Sequence, residues 1–438
     1  MNTIGLRSEE KLFESRVPLI PKHIADLANK HNIQFVVEPS NQRTYTANDF
    51  TKVGATLQSL KGSEVPVVLG IKEMPSDFFE KGKVYIFFSH TIKGQEDNMD
   101  MLQRILDVGA TLIDYERVID ENGRRLIFFG NWAGMAGISD TLRILGKRLQ
   151  SKGITPNPFA RLKPTLECKD LAELKEQFQL LGERITNMGL PETMTPLVIG
   201  FAGYGNVSRG AQEMFDILPY EEVEPNQLSK IDSPKSNVLY KCIFKEEHMV
   251  RPKESGMVFD LQDYYTHGAT KYQGVFHEYV PYMSVVLNCI YWTEKYPRLI
   301  TREFIRKHWN DKSRRLEVVG DISCDVEGAI EFTVRTANPG SPAFTYLVQE
   351  NRAESGVEGE GPVVMAVDNL PTELPRESST SFSETLLDYI PALAKADFTV
   401  VFDNLELPRE LKNAVIVYQG SLTKEYEYLK EYLSREEN

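Results

Sequence analysis

Short apolar runs alternate with amphipathic segments along the first 135 residues. The runs IGL, IQFVV, PVVLGI, VYIFF and TLIDY have the length and side-chain types of buried strands. Between them, PKHIADLANKH and EDNMDMLQRILDVGA carry apolar residues at three- and four-residue spacing, which predicts amphipathic helices. This alternation indicates an α/β unit that ends near residue 135.

The rest of the chain predicts a second α/β unit. Long helices are predicted for NWAGMAGISDTLRILGKRLQSKG, which leads out of the first unit, and for DLAELKEQFQLLGERITNMG. A strand, a glycine turn and a helix follow in PLVIGFAGYGNVSRGAQEMF, with further strands at SVVLNCIYW and LEVVGDIS, so we expect a doubly wound sheet. Residues 225–237 and 354–362 are predicted surface loops, and the tail LTKEYEYLKEYLSREEN is a predicted helix that packs on a neighbouring surface.

Composition narrows the class of protein. A chain of 438 residues is long enough for two or three domains. Its 63 acidic and 50 basic residues give a formal net charge of -13, which argues against binding to nucleic acid or anionic membranes. No run approaches the roughly 18 apolar residues of a membrane span. Because the start, MNTIGLRSEEKLFESR, also reaches charged residues within a few positions, we expect a cytoplasmic protein. The four cysteines form no CxxC pair, so we expect reduced thiols and no metal site.

The segment GYGNVSRG, residues 203–210, is a candidate phosphate-binding turn. Its first two glycines permit a tight turn, and the amides at the start of the following helix can hold a pyrophosphate. The match to GxGxxG is imperfect, because Ser208 stands at the third position and Gly210 follows two residues later. The alternative is a plain turn between a strand and a helix.

Spacing alone leaves the type of dinucleotide open. Glu222 and Glu224 lie about 20 residues after the turn, where an acidic residue contacts the ribose of NAD. Arg209, Lys230 and Lys235 could instead meet the additional phosphate of NADP.

Titratable residues follow three of the predicted strands. Lys72 and Glu73 come after PVVLGI, His90 follows VYIFF, and Glu116 follows TLIDY. Each alone is typical of a solvated or salt-bridged residue. Open α/β sheets bind ligands at the carboxyl ends of their strands, so a shared position there favours a functional site.

Arg16 in ESRVPLIP and Arg125 in NGRRLIFFG are candidates for binding a substrate carboxylate. A guanidinium group matches a carboxylate in a bidentate fashion, and an anionic substrate of an acidic protein needs such local positive charge. The alternative for both residues is a surface ion pair.

A family resemblance joins these segments. In order, they resemble the lysine-2-oxoglutarate reductase unit of the alpha-aminoadipic semialdehyde synthase family, over nearly the whole chain. More distant relatives are the lysine-forming saccharopine dehydrogenases and the alanine dehydrogenases. The segments that carry the resemblance are ESRVPLIPKHI, VVLGIKEMP, FFSHTIKGQE, LIDYE, GRRLIFFGNWAGMAG, FAGYGNVSRGAQ, LNCIYW, DISCDVEGAIEF and AVDNLPTELPRESS.

The resemblance implies a two-domain α/β architecture like that of alanine dehydrogenase. A Rossmann dinucleotide-binding domain, residues 136–366, would be inserted into a discontinuous substrate domain, residues 1–135 and 367–438, with a cleft between them. Because the bifunctional relatives continue into a separate saccharopine dehydrogenase domain, the chain would be a stand-alone reductase. It would act as a homo-oligomer or pair functionally with a separate saccharopine dehydrogenase.

The implied activity joins L-lysine to 2-oxoglutarate and reduces the imine with NADPH, or alternatively NADH, to saccharopine. Lys72 and His90 would form the acid-base pair, and Glu73 and Glu116 would tune them. The other residues matched to substrate binding are Arg16, Arg125, Asp325 and Asp368.

The resemblance also implies a set of cofactor contacts. Asn288 would lie near the nicotinamide ribose, while Asn369 and Leu370 would flank the ring. The phosphate turn and ribose contacts would be Gly203, Gly205, Asn206, Val207, Ser208 and Glu224. Alternative functions are an NAD-dependent, lysine-forming saccharopine dehydrogenase, a related amino-acid or opine dehydrogenase, and a non-catalytic dinucleotide-binding regulatory protein.

Overall fold

The computed structural model describes residues 2–433. The chain divides into two compact units. The first combines the residues up to Phe129 with those from Pro375 onwards, and the second is Gly130–Leu374. The helix predicted to lead out of the first unit lies wholly in the second, so the division falls before residue 135.

The strands form two large sheets and one two-stranded sheet. In chain order they are β1 (Thr3–Leu6), β2 (Gln34–Val37), β3 (Thr56–Leu57), β4 (Val67–Leu69), β5 (Val84–Phe87), β6 (Thr111–Asp114), β7 (Val198–Ala202), β8 (Tyr220–Glu222), β9 (Leu239–Phe244), β10 (Val250–Pro252), β11 (Tyr272–Gly274), β12 (Val285–Asn288), β13 (Val318–Asp321), β14 (Ala343–Leu347), β15 (Arg352–Ser355), β16 (Val363–Met365), β17 (Val415–Tyr418) and β18 (Ser421–Leu422).

Helices connect most of these strands. In chain order they are α1 (Pro21–His31), α2 (Ala47–Thr51), α3 (Met99–Asp107), α4 (Gly130–Ser151), α5 (Leu171–Met188), α6 (Asn206–Phe215), α7 (Glu246–Met249), α8 (Leu261–His267), α9 (Arg302–His308), α10 (Pro375–Leu386), α11 (Ile390–Lys395), α12 (Arg409–Asn413) and α13 (Lys430–Leu433).

The sheet of the first unit has the order β18-β17-β6-β5-β4-β1-β2-β3. Strands β1 to β6 are parallel, and β17 pairs antiparallel with β6. The parallel strands are almost continuously apolar because helices cover both faces of such a sheet. The carboxyl ends of β4, β5 and β6 therefore lie side by side, at the positions where the sequence places its titratable residues.

The sheet of the second unit has the order β15-β14-β16-β13-β12-β7-β9-β8. Helix α4 packs closely on α6, and Gly210 makes this approach possible. A Cβ atom at Gly210 would lie 2.0 Å from the carbonyl oxygen of Asn131. The glycine that departs from the expected spacing of the motif therefore serves helix packing, since no larger residue fits there.

Most predicted elements are present, whereas the buried strands β9, β14, β16 and β17 were not predicted. The predicted loop 225–237 contains the 3-10 helix Pro225–Lys230, and the predicted loop 354–362 overlaps β15, an exposed edge strand without an apolar pattern. The tail forms the 3-10 helix Lys424–Leu429 and then α13. Residues 434–438 of the predicted tail helix lie outside the described residues.

Two expectations from composition concern membranes and cysteines. Within residues 2–433, none of the helices combines the length and apolar character needed to cross a bilayer. None of the four cysteines, all within the described residues, forms a disulfide bond, and burial raises the pKa of Cys168 to about 11. The described part of the chain holds no group of three or more His, Cys, Asp or Glu residues placed to bind a metal ion.

Candidate active site

Glu9 holds the turn that carries Lys72. The backbone amides of Ile71 and Lys72 donate to the two carboxylate oxygens of Glu9, at 2.6 and 2.9 Å. Burial, together with the nearby Glu14, raises the pKa of Glu9 to about 7 in spite of these two donors. Sequence reasoning missed Glu9, because its contact with the turn depends on the pairing of β1 with β4.

Lys72 is a half-buried amine. Burial and then the nearby Arg16 guanidinium lower its pKa, while Glu73 acts in the opposite direction. Within residues 2–433, the Lys72 Nζ atom makes no hydrogen bond or ion pair. The amine is therefore easier to deprotonate than that of an ordinary lysine. A group that exchanges protons near neutral pH needs such a lowered pKa.

His90 and Glu73 form a hydrogen-bonded pair. His90 has a φ of 49°, a left-handed conformation that is uncommon outside glycine and that often occurs at functional sites. Its Nδ1 atom is hydrogen-bonded to Glu73 Oε1. Burial alone would raise the pKa of Glu73, but His90 and Lys72 lower it to about 2. Because Glu73 is ionised at neutral pH, Nδ1 must carry the proton, which leaves Nε2 able to accept one.

Asp114 connects the turns that carry His90 and Glu116. Its Oδ2 atom accepts hydrogen bonds from the Ser89 amide, at 3.1 Å, and from the Ser89 hydroxyl, while its Oδ1 atom accepts from the Glu116 amide at 2.7 Å. Burial raises the pKa of Asp114 to about 6. Sequence reasoning missed this residue, although a carboxylate inside the apolar run TLIDY is a signal that could have found it.

Glu116 and Arg125 pair with each other. The Glu116 carboxylate is largely buried and accepts from Arg125 Nη2, whereas 46% of the Arg125 side chain is exposed. The structure thus joins a residue predicted to tune the acid-base pair to one predicted to bind a substrate carboxylate. Arg125 keeps a solvent-facing part of its guanidinium group.

Arg16 is buried and paired with Glu14. Its Nε and Nη2 atoms donate to Glu14 Oε1 and Oε2, at 2.7 and 2.5 Å, and its guanidinium lies 4.1 Å from the centre of the Phe129 ring. The carboxylate-binding edge of Arg16 is therefore used by Glu14. Its positive charge still acts on Lys72, whose pKa it helps to lower.

The second unit supplies the glycine turn. Gly203 has a φ of 95°, and a Cβ atom there would lie 2.9 Å from Ile290 Cγ2. Its amide donates to the carbonyl oxygen of Phe244 at 2.9 Å. Both the backbone conformation and the space at this position require glycine.

Within the described residues, the first three amides of helix α6 make no hydrogen bond. Gly205 caps it without a side-chain hydrogen bond, and the first intrahelical bond runs from the Arg209 amide to the Gly205 carbonyl at 2.9 Å. The amides of residues 206–208 are therefore available to an anion. A Cβ atom at Gly205 would meet open space, so a pyrophosphate has room to approach the backbone.

The three predicted phosphate-binding residues at the start of α6 differ in the groups that they leave available to a phosphate. Ser208 is fully buried, and its hydroxyl accepts a hydrogen bond from Gln212 at 2.9 Å, so only its amide remains for a phosphate. Asn206 accepts a hydrogen bond from Arg209. Val207 packs against the hydrophobic core of this unit.

Asn288 lies at the end of β12 and is buried. Its Nδ2 atom donates to Asp321 Oδ1 at 2.8 Å, and Thr333 donates to Asp321 Oδ2 at 2.5 Å. Burial raises the pKa of Asp321 to about 6. Sequence reasoning selected Asp325, which is half-buried, and missed Asp321, the polar residue that ends the apolar strand LEVVGD.

The remaining predicted residues also lie in the second unit. Asp368 is exposed, and its amide donates to the Ala337 carbonyl at 3.3 Å. Asn369 and Leu370 are buried at the start of a 3-10 helix. Glu224 is exposed and follows β8, which β9 separates from β7.

A buried pair of carboxyl groups joins α4 to the segment at the end of the second unit. Glu373 ends the 3-10 helix Leu370–Glu373, and neither of its oxygens receives a hydrogen bond from a donor in the described part of the chain. Burial, and then Asp140, raise its pKa well above 4.5. The raised pKa favours the protonated form of Glu373, which can donate to Asp140. Arg143 also contacts Asp140, at 3.3 Å.

Two family models match the sequence. The model "Alanine dehydrogenase/PNT, N-terminal domain" matches residues 5–136, and "Alanine dehydrogenase/PNT, C-terminal domain" matches residues 222–425. An alpha-aminoadipic semialdehyde synthase of Arabidopsis thaliana is 36% identical over 464 residues, which cover 98% of this chain and 42% of the relative. The chain thus spans less than half the length of that protein.

A fungal relative matches over most of its length. A saccharopine dehydrogenase [NAD(+), L-lysine-forming] of Emericella nidulans is 28% identical over 401 residues, which cover 88% of this chain and 90% of the relative. Among solved structures, an L-alanine dehydrogenase aligns over 98% of both chains with a TM-score of 0.60 and 16% identity, which shows a common two-domain α/β fold. The chain belongs to the alanine dehydrogenase/PNT family.

Proposed function

We propose that the protein is a nicotinamide-dependent oxidoreductase that joins L-lysine to 2-oxoglutarate and reduces the imine to saccharopine. The observation that carries this proposal is the group formed by Lys72, Glu73 and His90, in which one ionised carboxylate, Glu73, acts on an amine of lowered pKa and is hydrogen-bonded to a histidine. The printed names of the plant and fungal relatives, which concern aminoadipic semialdehyde and saccharopine, support the choice of substrate.

The reaction requires proton transfers at two points. The ε-amine of lysine attacks the ketone carbon, the new C–N bond forms, and the carbonyl oxygen takes up a proton. The resulting hydroxyl then leaves as water when it receives a second proton, and the nitrogen lone pair forms the C=N bond. A base that removes the ammonium proton and an acid that protonates the hydroxyl accelerate these steps.

Lys72 and His90 are suited to these two tasks. The lowered pKa of Lys72 favours a neutral amine that accepts the proton of the substrate ammonium group. The Nδ1–H group of His90 donates to Glu73, so His90 delivers or accepts a proton through Nε2. Asp114 and Glu9 hold the turns that carry these side chains.

Arg125 is the better candidate for the substrate carboxylates. Arg16 is buried in a bidentate pair with Glu14, so binding a substrate through the same edge would break that pair. Arg125 is half exposed and pairs with Glu116 through one Nη atom. Arg16 then contributes through its charge, which keeps the pKa of Lys72 low.

The glycine turn and the first amides of α6 would hold the pyrophosphate of the dinucleotide. This assignment depends on the uncapped start of a ten-residue helix and on the open space at Gly205. When bound, the nicotinamide supplies the hydride that reduces the C=N bond.

The direct test is the absorbance at 340 nm of purified protein with NADH or NADPH, L-lysine and 2-oxoglutarate. We expect oxidation only when both substrates are present, so each is omitted in turn. Oxidation without lysine, or with another keto acid in preference to 2-oxoglutarate, would contradict the assignment.

A second candidate is the reverse reaction, the NAD-dependent release of lysine from saccharopine. It is favoured by the name of the fungal relative, which the chain matches over 90% of its length. Initial rates with saccharopine and NAD⁺, compared with those in the reductive direction at the same pH, distinguish the two. Dinucleotide binding without turnover in either direction would instead support a regulatory protein.

A further inference from the structure

The second unit contains a cavity of about 990 Å³ beside helix α4. Its other walls are the segment 164–167 and the hairpin of β14 and β15 with the loops 339–343 and 356–360. The described lining residues all lie in the second unit, and none belongs to the glycine turn. Pockets for small molecules usually have about 300–1,000 Å³, so the cavity has room for such a ligand.

Hydrogen bonds fix two walls of this cavity to α4. Arg148 of α4 donates to three carbonyl oxygens of residues 357–361, at 2.7, 2.9 and 3.0 Å. Asp140 of the same helix accepts from the amide and the hydroxyl of Thr165, at 3.4 and 3.3 Å. The side chains that line the cavity therefore project from elements that are tied to one another.

Arg143 is the buried cation of the cavity. Its side chain is only 5% exposed, and its Nε atom donates to Asp140 Oδ1 at 3.3 Å. Within residues 2–433, its two Nη atoms make no hydrogen bond. A guanidinium group can donate from both Nη atoms to the two oxygens of one carboxylate. Because a buried donor without an acceptor costs free energy, such a carboxylate would be bound well here.

Lys147 places a second positive charge in the same cavity. It lies four residues after Arg143, and residues at this spacing share one face of a helix. Burial and then Arg143 lower the pKa of Lys147, so the two positive charges act on each other. Among the described residues, none forms a hydrogen bond or an ion pair with the Lys147 amine. An anionic group between the two side chains would relieve their repulsion.

The other charged residues that line the cavity are acidic. They are Glu167, Glu350, Glu354, Glu358 and Glu360. Arg352 pairs with Glu350 and Glu354. The side chains of Glu358 and Glu360 are exposed and form no hydrogen bond or ion pair with the part of the chain that the structure describes. A simple anion would be repelled by these carboxylates, whereas a simple cation would leave Arg143 and Lys147 unpaired.

We propose that this cavity binds a basic α-amino acid. The α-carboxylate accepts hydrogen bonds from Arg143 and Lys147, and the cationic side chain lies against the glutamates of the opposite wall. The site is distinct from the group formed by Lys72, Glu73 and His90, which belongs to the first unit. The proposal rests on the cavity alone and not on the proposed reaction.

The test is calorimetric titration of the purified protein with L-arginine, without dinucleotide or 2-oxoglutarate. L-arginine replaces L-lysine because lysine is also the proposed substrate. Agmatine keeps the cationic group and lacks the carboxylate, and L-norvaline keeps the carboxylate and lacks the side-chain charge. We expect L-arginine to bind saturably and at least about tenfold more tightly than either, the range of one hydrogen bond to a charged group.

Variants at each end of the cavity locate the binding. Lys147→Met should weaken L-arginine binding by about tenfold and should not weaken agmatine binding. The double variant Glu358→Gln with Glu360→Gln should weaken the binding of both. These side chains are exposed, so the variants should fold, which circular dichroism checks. Lys295→Met, at an exposed position outside the cavity, is the matched control and should bind L-arginine like the unmodified protein.

Three results would overturn the proposal. One is the absence of saturable L-arginine binding. Another is binding of agmatine or L-norvaline as tight as that of L-arginine, since only one end of the ligand would then be recognised. The third is L-arginine binding that neither Lys147→Met nor the double variant changes, which would place it elsewhere. Lysine-dependent oxidation of NADH or NADPH can be present or absent in any of these cases, so the proposed reaction is tested separately.

Discussion

Nδ1 of His90 is hydrogen-bonded to the carboxylate of Glu73, which lies at the end of the neighbouring strand β4. The pair fixes one tautomer of the imidazole, since an ionised carboxylate accepts the Nδ1 proton. The two residues come together because β4 and β5 are parallel neighbours whose carboxyl ends meet at one edge of the sheet.

Replacing Glu73 with Gln should slow turnover by up to about 10²- to 10⁴-fold, the contribution typical of acid-base catalysis. The amide can still contact His90, but it no longer fixes the tautomer. We would compare kcat with that of Asp77→Asn, a change to an exposed carboxylate in the same loop. Equal kcat values in the two variants would show that the pair does not serve the reaction.

The same variant should change the acid sensitivity of the fold. The pKa of Glu73 is lowered to about 2 from an ordinary value of 4.5, so its contribution to stability is present above 4.5 and is lost as the pH falls towards 2. As the pH falls over this interval, the urea concentration at the midpoint of unfolding should therefore decrease more in the unmodified protein than in Glu73→Gln. Parallel pH profiles for the two proteins would contradict the lowered pKa.

Lys72→Met should leave dinucleotide binding intact and reduce turnover by about 10²- to 10⁴-fold, the contribution typical of acid-base catalysis. Because burial and Arg16 lower the pKa of Lys72, the rate that depends on its neutral form should rise with pH well below 10.5. That rising limb should be absent in the variant. Full activity of Lys72→Met would refute the assigned role.

Replacing Gly210 or Gly205 with alanine should affect stability and dinucleotide affinity differently. In Gly210→Ala the new Cβ atom meets the Asn131 carbonyl at 2.0 Å, so we expect a loss of about 1–3 kcal/mol in the free energy of unfolding. In Gly205→Ala the Cβ atom meets open space, so stability should change little while dinucleotide affinity falls. Denaturant unfolding and fluorescence titration check the two effects, and similar stability losses in both variants would contradict the packing role of Gly210.

Glu373→Gln should stabilise the second unit at neutral and alkaline pH. The pKa of Glu373 is raised in the folded protein, so its stabilising contribution is complete below 4.5 and is lost as the pH rises through the raised value. Glutamine keeps a hydrogen-bond donor to Asp140 at every pH. This bond is worth about 1–3 kcal/mol at pH values where Glu373 would lose its proton. Melting temperatures across this pH range should separate the variant from the unmodified protein, whereas Glu176→Gln, at an exposed position of α5, should show no such difference.

The local pattern of the sequence predicts much of the fold. Helix α1 begins at Pro21 and ends before Asn32, whose left-handed conformation closes it, and these are the limits of PKHIADLANKH. Apolar runs likewise mark β4, β5 and β6, and the polar residues after them mark the site. These features are predictable because proline, capping residues and hydrophobic spacing act over a few residues.

Residues whose role depends on distant pairing were not predictable. Glu9 contacts the turn after β4 because β1 and β4 are neighbours, and no local pattern encodes that contact. The distance of Glu224 from β7 arises in the same way, since spacing along the chain does not reveal that β9 lies between β7 and β8. The pairing of Arg16 with Glu14 is local, since the two residues are two positions apart, but their burial is not evident from the sequence.

The antiparallel pairing of β17 with β6 has a consequence for biosynthesis. The first unit needs residues from both ends of the chain, whereas Gly130–Leu374 is continuous. During translation the second unit can fold as soon as it has emerged, while the edge of β6 stays unpaired until Val415–Tyr418 leaves the ribosome. An open edge of a parallel sheet is a template for wrong pairing, so the nascent chain is most exposed to aggregation in that interval.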